Sequence, residues 1–304
     1  MRTKKTLSRI ANALERIADV LEGKSYLVQT QHLNIDSVSL SEEQPIDTTD
    51  SKDCSEITES DKEEIITFLR KRNIDVKSYP EKEDVDASLI SIAQYMGDKY
   101  SHIQKVYEMI KRHLNAEGGF KLDLKKSSQL DVSYSCQLCN MLYKIAFLSE
   151  YKYIKSPSFT LIATPNRIPI AINFLTGHWL ELHIKKAVLD VLISLNQKIS
   201  YSCIINPKIV LPNGDDFEFD VIYFIQGKAY WIEAKTASYQ NYVDKYSKVA
   251  LMLGQKDLRP YMVLTDLPQN NNHQILSKLF NMKVCYVEDF SNTFREDLIL
   301  DLTN

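Results

Sequence analysis

The apolar positions at the start of the chain follow a narrow helical seam. They recur in alternating steps of three and four residues, the spacing of a coiled-coil stripe, and Gly23 then supplies a stop signal. The pattern predicts a coiled-coil helix over residues 1–23 that joins copies of the chain into a homo-oligomer. Because so short a seam is marginally stable alone, a helix packed on its own chain is the alternative. The seam consists of Leu7, Ile10, Leu14, Ile17 and Leu21.

Polar residues dominate the next segment. Residues 24–58 are rich in Ser, Thr, Asp and Glu and too poor in apolar residues to form a core, which predicts an acidic flexible linker. Ser60 and Glu63 then have the spacing of a capping box at the start of a helix. A folded region is therefore expected to begin near residue 59.

Residues 59–166 combine helical and strand-like patterns. Helical periodicity covers residues 87–96, 101–114 and 136–148, and the segment YKYIKSPSFTLIATPN then alternates like a short hairpin. Helices followed by a hairpin predict a helical winged-helix-like module.

The last part of the chain, residues 167–304, mixes both periodicities. Helices are predicted over 177–195 and 241–254. Strand-like segments are YSCIINPKIVL, the two halves of EFDVIYFIQGKAYWIEAKT, YMVLTD and KVCYVED. A mixed sheet flanked by helices follows, so the predicted fold class is α/β, with a C-terminal α/β/α domain preceded by the coiled-coil helix and the middle module.

The charge balance limits how this chain can contact nucleic acid. Its 304 residues carry a formal net charge of −3, so affinity for nucleic acid must come from a local basic surface. Basic and aromatic residues are interleaved in the middle module, as on surfaces that bind phosphates. A solvated face with ordinary core aromatics is the alternative. The basic residues are Lys111, Arg112, Lys121, Lys125, Lys126, Lys144, Lys152 and Lys155.

The sequence also excludes several classes of protein. Five scattered cysteines do not make a disulfide framework, and the charged start MRTKKTLSRIANALERIADV does not fit a signal peptide. No apolar run is long enough to span a membrane, so a cytoplasmic protein is expected. Cys136 and Cys139 form a lone C-x-x-C pair without two further zinc ligands, which favours buried thiols. No H-E-x-x-H pair, Walker loop or dinucleotide-binding glycine motif occurs, so NTPase and dehydrogenase functions are set aside.

Four charged residues lie in the otherwise apolar hairpin EFDVIYFIQGKAYWIEAKT. A turn centred on its Gln-Gly pair places Asp220 opposite Glu233 and Glu218 opposite Lys235, all on one face. Opposed carboxylates, with Cβ atoms about 5 Å apart, repel each other unless a cation binds between them. Two carboxylates suit Mg²⁺ or Mn²⁺, and an adjacent ammonium can orient an attacking water and offset charge on a phosphorane. A solvated sheet face with a Glu218–Lys235 pair is the alternative.

These residues resemble a known nuclease motif. The pattern D-x12-E-x-K, carried by Asp220, Glu233 and Lys235, is similar to that of the PD-(D/E)XK superfamily. The segments GHWLE, FEFDV and WIEAKT, followed by YVDKYSKVALMLGQKDLRPYMVLTD, resemble the nuclease domain of the CARF-fused effectors of type III CRISPR systems over residues 170–290. Those proteins combine a cyclic-oligoadenylate sensor with a nuclease that cuts single-stranded nucleic acid. Residues 1–165 show no βαβ repeats that could form such a sensor, so activation by cyclic oligoadenylate is not carried over.

The resemblance implies a role for each motif residue. Asp220 and Glu233 would be ligands of Mg²⁺ or Mn²⁺, and Lys235 would position the nucleophile. Glu181, in GHWLE, would be an outer or second-metal carboxylate; an i, i+4 pair with Lys185 is the alternative. Further substrate contacts are predicted at Lys245, Lys248 and Glu218; a solvated helix face is the alternative for the two lysines.

The sequence thus predicts a metal-dependent endonuclease that hydrolyses the phosphodiesters of DNA or RNA. The resemblance adds an expected role in antiviral defence or mobile-element biology. One alternative is a non-enzymatic nucleic-acid-binding or assembly protein with a degenerate nuclease fold. Another is a structural protein whose coiled coil recruits a complex.

Overall fold

The computed structural model describes residues 57–81, 85–237, 239–254, 257–266 and 273–303. The predicted coiled-coil helix, and with it the predicted homo-oligomer contact, lies outside these residues, as does the predicted linker up to residue 56. Within the described ranges, no helix is both long and apolar enough to cross a membrane.

The elements of the described residues alternate between helix and strand. In chain order the strands are β1 (Ile57–Glu59), β2 (Asp75–Ser78), β3 (Phe120–Asp123), β4 (Leu148–Ile154), β5 (Thr160–Pro165), β6 (Ile199–Ile205), β7 (Lys208–Val210), β8 (Asp216–Glu218), β9 (Val221–Ile225), β10 (Lys228–Lys235), β11 (Leu258–Leu264) and β12 (Lys283–Tyr286). The α-helices are α1 (Glu63–Arg70), α2 (Ala87–Asp98), α3 (Tyr100–Leu114), α4 (Gln129–Lys144), α5 (Pro169–Asn173), α6 (Trp179–Ser194), α7 (Val243–Leu253), α8 (His273–Phe280) and α9 (Phe290–Thr303). A π-helical segment, Phe174–His178, leads directly into α6.

A six-stranded mixed sheet forms the centre of the fold, in the order β1-β6-β9-β10-β11-β12. Strand β9 is antiparallel to both of its neighbours, β1 is parallel to β6, and β10, β11 and β12 run parallel. The predicted α/β class is confirmed.

The predicted hairpin is present as β9 and β10. Their antiparallel register places Val221 opposite Ile232. At the turn, Gln226 and Gly227 have φ values of 48° and 86°. These left-handed values suit a two-residue hairpin turn, in which both central residues have positive φ.

Helices cover both faces of the large sheet. Successive residues of a strand point to opposite faces, so the strand residues are buried on both sides. On β10, Tyr230 and Ile232 pack in one core with α6 and α9. Ala229 and Trp231 pack in a second core with α1, α7 and α8. Since β10 is closed in on both faces, a charged residue on it needs partners within the protein.

The predicted middle module packs into the same core as the C-terminal region. Helices α2, α3 and α4 and a three-stranded sheet of order β3-β5-β4 bury apolar residues together with α6 and α9. Helix α2 lies so close to α6 that a Cβ at Gly97 would come within 2.2 Å of the His183 ring. Residues 55–304 form one compact unit. The described residues therefore have no division between compact units at residue 167, where the sequence predicts a domain boundary.

The elements predicted inside this module are mostly present. The three predicted helices are α2, α3 and α4, and the predicted hairpin is β4 and β5. Strand β3, which pairs antiparallel with β5, was not predicted. On α4, Cys139 is buried and Cys136 is half-buried, and both are free thiols.

Two predictions near residue 59 are corrected by the structure. Residues 57 and 58, assigned to the linker, belong to β1, where their backbone groups extend the large sheet beside β6. The capping box of Ser60 and Glu63 is not formed. Because α1 begins at Glu63, Ser60 lies too far upstream to cap it, and its Oγ donates to Glu64 Oε2 at 2.9 Å instead.

The strand predicted over YSCIINPKIVL is broken in two. Asn206, with a φ of 50°, separates β6 in the large sheet from β7 in a small sheet of order β2-β7-β8. Glu218 lies on β8 opposite Lys208 and is exposed. The predicted pairing of Glu218 with Lys235 is therefore wrong, because the chain changes sheets between β8 and β9 and the hairpin register does not extend that far.

One carboxylate joins the last helix to the sheet. The side chain of Asp301 on α9 is 4% exposed; its Oδ1 lies 2.7 Å from Lys228 Nζ and 2.8 Å from Arg259 Nη2. Its Oδ2 accepts a hydrogen bond from the Tyr230 hydroxyl at 3.0 Å. Burial alone would raise the pKa of Asp301, but the hydrogen bonds from Arg259, Lys228 and Tyr230 outweigh it and lower the pKa from 3.8 to about 2.

We expect Asp301→Asn to lower the free energy of unfolding by about 2 kcal/mol at neutral pH, because it leaves Lys228 and Arg259 without their carboxylate. Since folding lowers the pKa of Asp301, this stabilisation is complete above about pH 4 and is lost as the pH falls through about 2. Urea unfolding of both proteins across this pH range measures the difference. Glu296→Gln, at an exposed carboxylate of the same helix, is the control and should change little. A difference that persists unchanged at pH 2 would contradict the assignment to charge.

Candidate active site

Three charged side chains meet at the end of the central hairpin. Lys235 Nζ lies 2.9 Å from Asp220 Oδ2 and 3.2 Å from Glu233 Oε2. Asp220 directly precedes β9, and the other two occupy alternate positions near the end of β10, so they share one face. The meeting of Asp220 with Glu233 that the hairpin register predicts is present in the structure.

Glu233 is fully buried. Its Oε1 accepts hydrogen bonds from Trp231 Nε1 at 2.7 Å and from the backbone N–H of Asp220 at 3.2 Å. Burial, and next the charge of Asp220, raises the pKa of Glu233, although Lys235 and Trp231 act in the opposite direction. This carboxylate is thus held in one orientation and is stabilised in its charged form by any nearby cation.

Lys235 supplies that cation. Burial lowers the pKa of Lys235, but the charges of Glu233 and Asp220 outweigh burial, so the pKa lies above its ordinary value and the side chain stays an ammonium. The Tyr246 ring lies 5.2 Å from its Nζ. The repulsion that the sequence predicts between two opposed carboxylates is therefore offset within the protein itself.

Glu181, in the first turn of α6, lies beside this cluster. Its Oε2 accepts a hydrogen bond from Asn206 Nδ2 at 3.2 Å and lies 3.0 Å from His178 Nδ1. The backbone N–H of Asn206 donates to the carbonyl oxygen of Asp220 at 3.0 Å. Asn206 thus connects the helix-borne carboxylate to the hairpin carboxylates.

Sequence reasoning missed two of these residues, His178 and Asn206. His178 lies inside GHWLE, three residues before Glu181, so the motif itself contained that signal. Asn206 precedes a proline within a strand-like pattern, which marks a break in the strand. The π-helical segment Phe174–His178 had no signal of this kind, although such segments are frequent at functional sites.

The three predicted substrate contacts lie in different surroundings. Lys245 Nζ is 4.7 Å from the centroid of the Phe217 ring, and Phe217 packs edge-on against Trp231, beside Glu233. Lys248 is exposed, and its Nζ lies 2.7 Å from Oδ2 of Asp244, one turn earlier on α7. Glu218 lies in the small sheet. Of the three, Lys245 is thus the one placed on the aromatic cluster beside Glu233.

The carboxylate oxygens meet the needs of a hard divalent cation. Asp220 Oδ2 accepts hydrogen bonds from the backbone N–H of Ala234 at 2.7 Å and from Lys235 Nζ at 2.9 Å, and Glu233 Oε2 accepts one from Lys235 Nζ at 3.2 Å. The described residues contain no group of three or more His, Cys, Asp or Glu side chains placed to hold a metal ion. Mg²⁺ requires only one or two carboxylates and keeps several waters. The Asp220–Glu233 pair fits that requirement, and the Lys235 ammonium marks a position favourable to positive charge.

Comparisons with known proteins support the fold. No family model and no curated protein matches this chain. Protein VC1899 from Vibrio cholerae is similar in structure over 76% of this chain and 60% of its own, with a TM-score of 0.53 and 14% identity. Can2 from Sulfobacillus thermosulfidooxidans, solved in complex with cyclic tetra-adenylate, is similar over 77% of this chain and 59% of its own, with a TM-score of 0.51 and 13% identity.

The coverage of these matches shows which part of the chain shares the fold. This chain spans about three fifths of the length of each solved protein. Both matches cover about three quarters of this chain, which is more than residues 167–304 contribute. The shared fold therefore extends into the predicted middle module.

Proposed function

We propose that this protein is a metal-dependent endonuclease that hydrolyses nucleic-acid phosphodiesters. The observation that carries the proposal is the position of the Lys235 ammonium between the carboxylates of Asp220 and Glu233. The resemblance to PD-(D/E)XK nucleases supports it, because the same three residues make up that motif. The fold shared with Can2, which was solved with a cyclic oligonucleotide, supports a ligand of the nucleic-acid type.

The carboxylates would hold Mg²⁺ or Mn²⁺. Asp220 and Glu233 are the proposed ligands, and Glu181 is the outer or second-metal carboxylate. The bound ion would supply Lewis-acid stabilisation of charge on the phosphate and a lowered pKa for a water. The protein orients the ligands: Trp231 and a backbone N–H fix Glu233, and Asn206 fixes Glu181.

Lys235 would position the nucleophile. An ammonium has three N–H donors, of which two point to the carboxylates of Asp220 and Glu233, and the group would hold an attacking water beside them. Its charge offsets the negative charge that grows on the phosphate as the bond to water forms. Because the charges of Glu233 and Asp220 outweigh burial and raise the pKa of Lys235, the group is an ammonium at neutral pH.

The proposed substrate is DNA or RNA. The resemblance adds a setting in antiviral defence or mobile-element biology, and the proposed compartment is the cytoplasm. Activation by cyclic oligoadenylate is not part of the proposal, because residues 1–165 show no βαβ repeats of the kind such a sensor contains. Affinity would come from local basic side chains, since the net charge is −3.

Incubation with linear and circular DNA and RNA, single- and double-stranded, tests the proposal. We expect cleavage with Mg²⁺ or Mn²⁺ and none with EDTA, because the motif offers carboxylate oxygens that need a hard cation. Cutting of circular substrates identifies an endonuclease. Full cleavage in EDTA would exclude the metal assignment, and binding without cleavage in either metal would favour the non-enzymatic alternative.

A further inference from the structure

Lys111 of α3 reaches the end of β10 from a distant part of the chain. Its Nζ donates to the carbonyl oxygen of Thr236 at 2.6 Å and to Thr236 Oγ1 at 3.2 Å. Thr236 directly follows Lys235. The ammonium also lies 5.4 Å from the centroid of the Tyr107 ring. A lysine outside the nuclease motif therefore lies beside the candidate active site.

The charge of Lys111 has no counterion in the described part of the chain. Its side chain is half-buried, and its contacts are neutral oxygens and an aromatic ring. Burial lowers the pKa of Lys111, and only Glu108, which is exposed and accepts a hydrogen bond from Gln104, acts against burial. A partly desolvated ammonium without a counterion is unfavourable, so a bound anion would stabilise it.

The contacts of Lys111 lead from Thr236 toward the carboxylates. Thr236 Oγ1 donates to the carbonyl oxygen of Thr176 at 2.6 Å, in the π-helical segment. The next residue is Gly177, where an added Cβ would meet no atom of the described residues within 4 Å beyond its chain neighbours and its own helix backbone. His178 follows Gly177, and its Nδ1 lies 3.0 Å from Glu181 Oε2. A continuous set of contacts thus runs from Lys111 past an open backbone to the candidate active site.

We propose that Lys111 and the backbone at Gly177 form a subsite for a phosphate of the substrate strand, adjacent to the phosphate that is cleaved. This inference rests on the proposed function and adds the path by which the strand reaches the carboxylates. The ligand class is a phosphodiester backbone, which DNA and RNA share. The sequence counts Lys111 as one of eight basic residues, whereas the structure places it against the strand that carries Glu233 and Lys235.

Lys111→Met tests the charge. Anisotropy of labelled single-stranded DNA and RNA oligonucleotides, measured in EDTA over a range of KCl concentrations, reports binding without cleavage. We expect the Kd of the variant to rise roughly tenfold at low salt, as for a lost hydrogen bond to a charged group. The slope of log Kd against log salt should fall by about 0.7, the value for one phosphate of a single strand. Lys105→Met, at an exposed lysine of the same helix, is the control, and Lys111→Arg should restore most of the slope.

Gly177→Ala tests the close approach of the strand. Alanine favours helix over glycine and would meet open space, so the melting temperature should stay the same or rise. We nevertheless expect weaker oligonucleotide binding, because the added methyl group occupies the space assigned to the substrate backbone. Binding equal to wild type would show that the strand does not pass over Gly177.

The outcomes separate this subsite from the proposed function. A slower cleavage rate for Lys111→Met with an unchanged Kd and salt slope would mean that Lys111 only holds Thr236 in place, and the subsite would be rejected. A wild-type protein that binds no oligonucleotide would reject it as well. If the predicted loss of slope is found while wild type cleaves nothing in Mg²⁺ or Mn²⁺, the subsite stands and the nuclease proposal fails.

Discussion

Replacing Lys235 by methionine is expected to lower the cleavage rate at least 100-fold while the protein stays folded. The ammonium acts on charge that develops in the transition state, and removal of one such donor typically lowers the rate about 100- to 1,000-fold. Single-turnover cleavage with saturating Mg²⁺ measures this effect. Lys198→Met, at an exposed lysine, is the matched control and should cleave as wild type does.

The same variant has a second expected property that a surface lysine would not share. Without the ammonium, the carboxylates of Asp220 and Glu233 lose the cation that lies between them, so the melting temperature in EDTA should fall. Mg²⁺ should then raise the melting temperature of the variant more than that of wild type, because a ligand bound by the folded state stabilises it. A wild-type cleavage rate, or no gain from Mg²⁺, would leave Lys235 as a structural ion-pair partner.

Glu233→Gln is expected to lower cleavage about 1,000-fold or more, since loss of a metal ligand removes several kcal/mol of transition-state stabilisation. The glutamine oxygen can still accept the hydrogen bonds from Trp231 and from the backbone of Asp220. The new amide group, however, would face Lys235, so a small fall in melting temperature should accompany the loss of activity. Cleavage assays and thermal melting measure both effects.

The effect of Mg²⁺ on the melting temperature shows whether Glu233 is a metal ligand or only a structural carboxylate. Wild type should melt at a higher temperature in Mg²⁺ than in EDTA, and Glu233→Gln should show little of that difference. Glu296→Gln, at an exposed carboxylate on α9, should keep both the activity and the Mg²⁺ effect. An equal response to Mg²⁺ in Glu233→Gln and wild type would place the metal elsewhere.

The parts of the candidate site that could be predicted are local in sequence. Strand alternation and a Gln-Gly turn set the register of β9 and β10, and that register brought Asp220 and Glu233 together correctly. The same argument failed for Glu218, because it assumed that the strand continues past Asp220. The chain instead crosses to the small sheet, where Lys208 is the partner of Glu218.

The packing of the middle module against the C-terminal region could not be predicted for a similar reason. Apolar faces on α2, α3 and α4 were visible in the sequence, but a periodic pattern does not say which surface covers a face. In the structure, the C-terminal helices α6 and α9 cover them, and the contact of Gly97 with His183 brings α2 close to α6. A module that the sequence would separate is therefore part of the support of the candidate active site.

By itself, the sequence determined the hairpin, its turn and the meeting of Asp220 with Glu233 and Lys235. These contacts join residues about one hairpin apart, 15 positions between Asp220 and Lys235, so the period of a strand and the geometry of a turn are sufficient to place them. The tertiary structure alone decided that Lys111 would lie against the end of β10, 125 positions away. It also decided that Asn206 would connect Glu181 to Asp220. Such contacts depend on how whole helices pack on the sheet, and the burial of apolar surface that drives this packing is not directional, so local patterns leave them open.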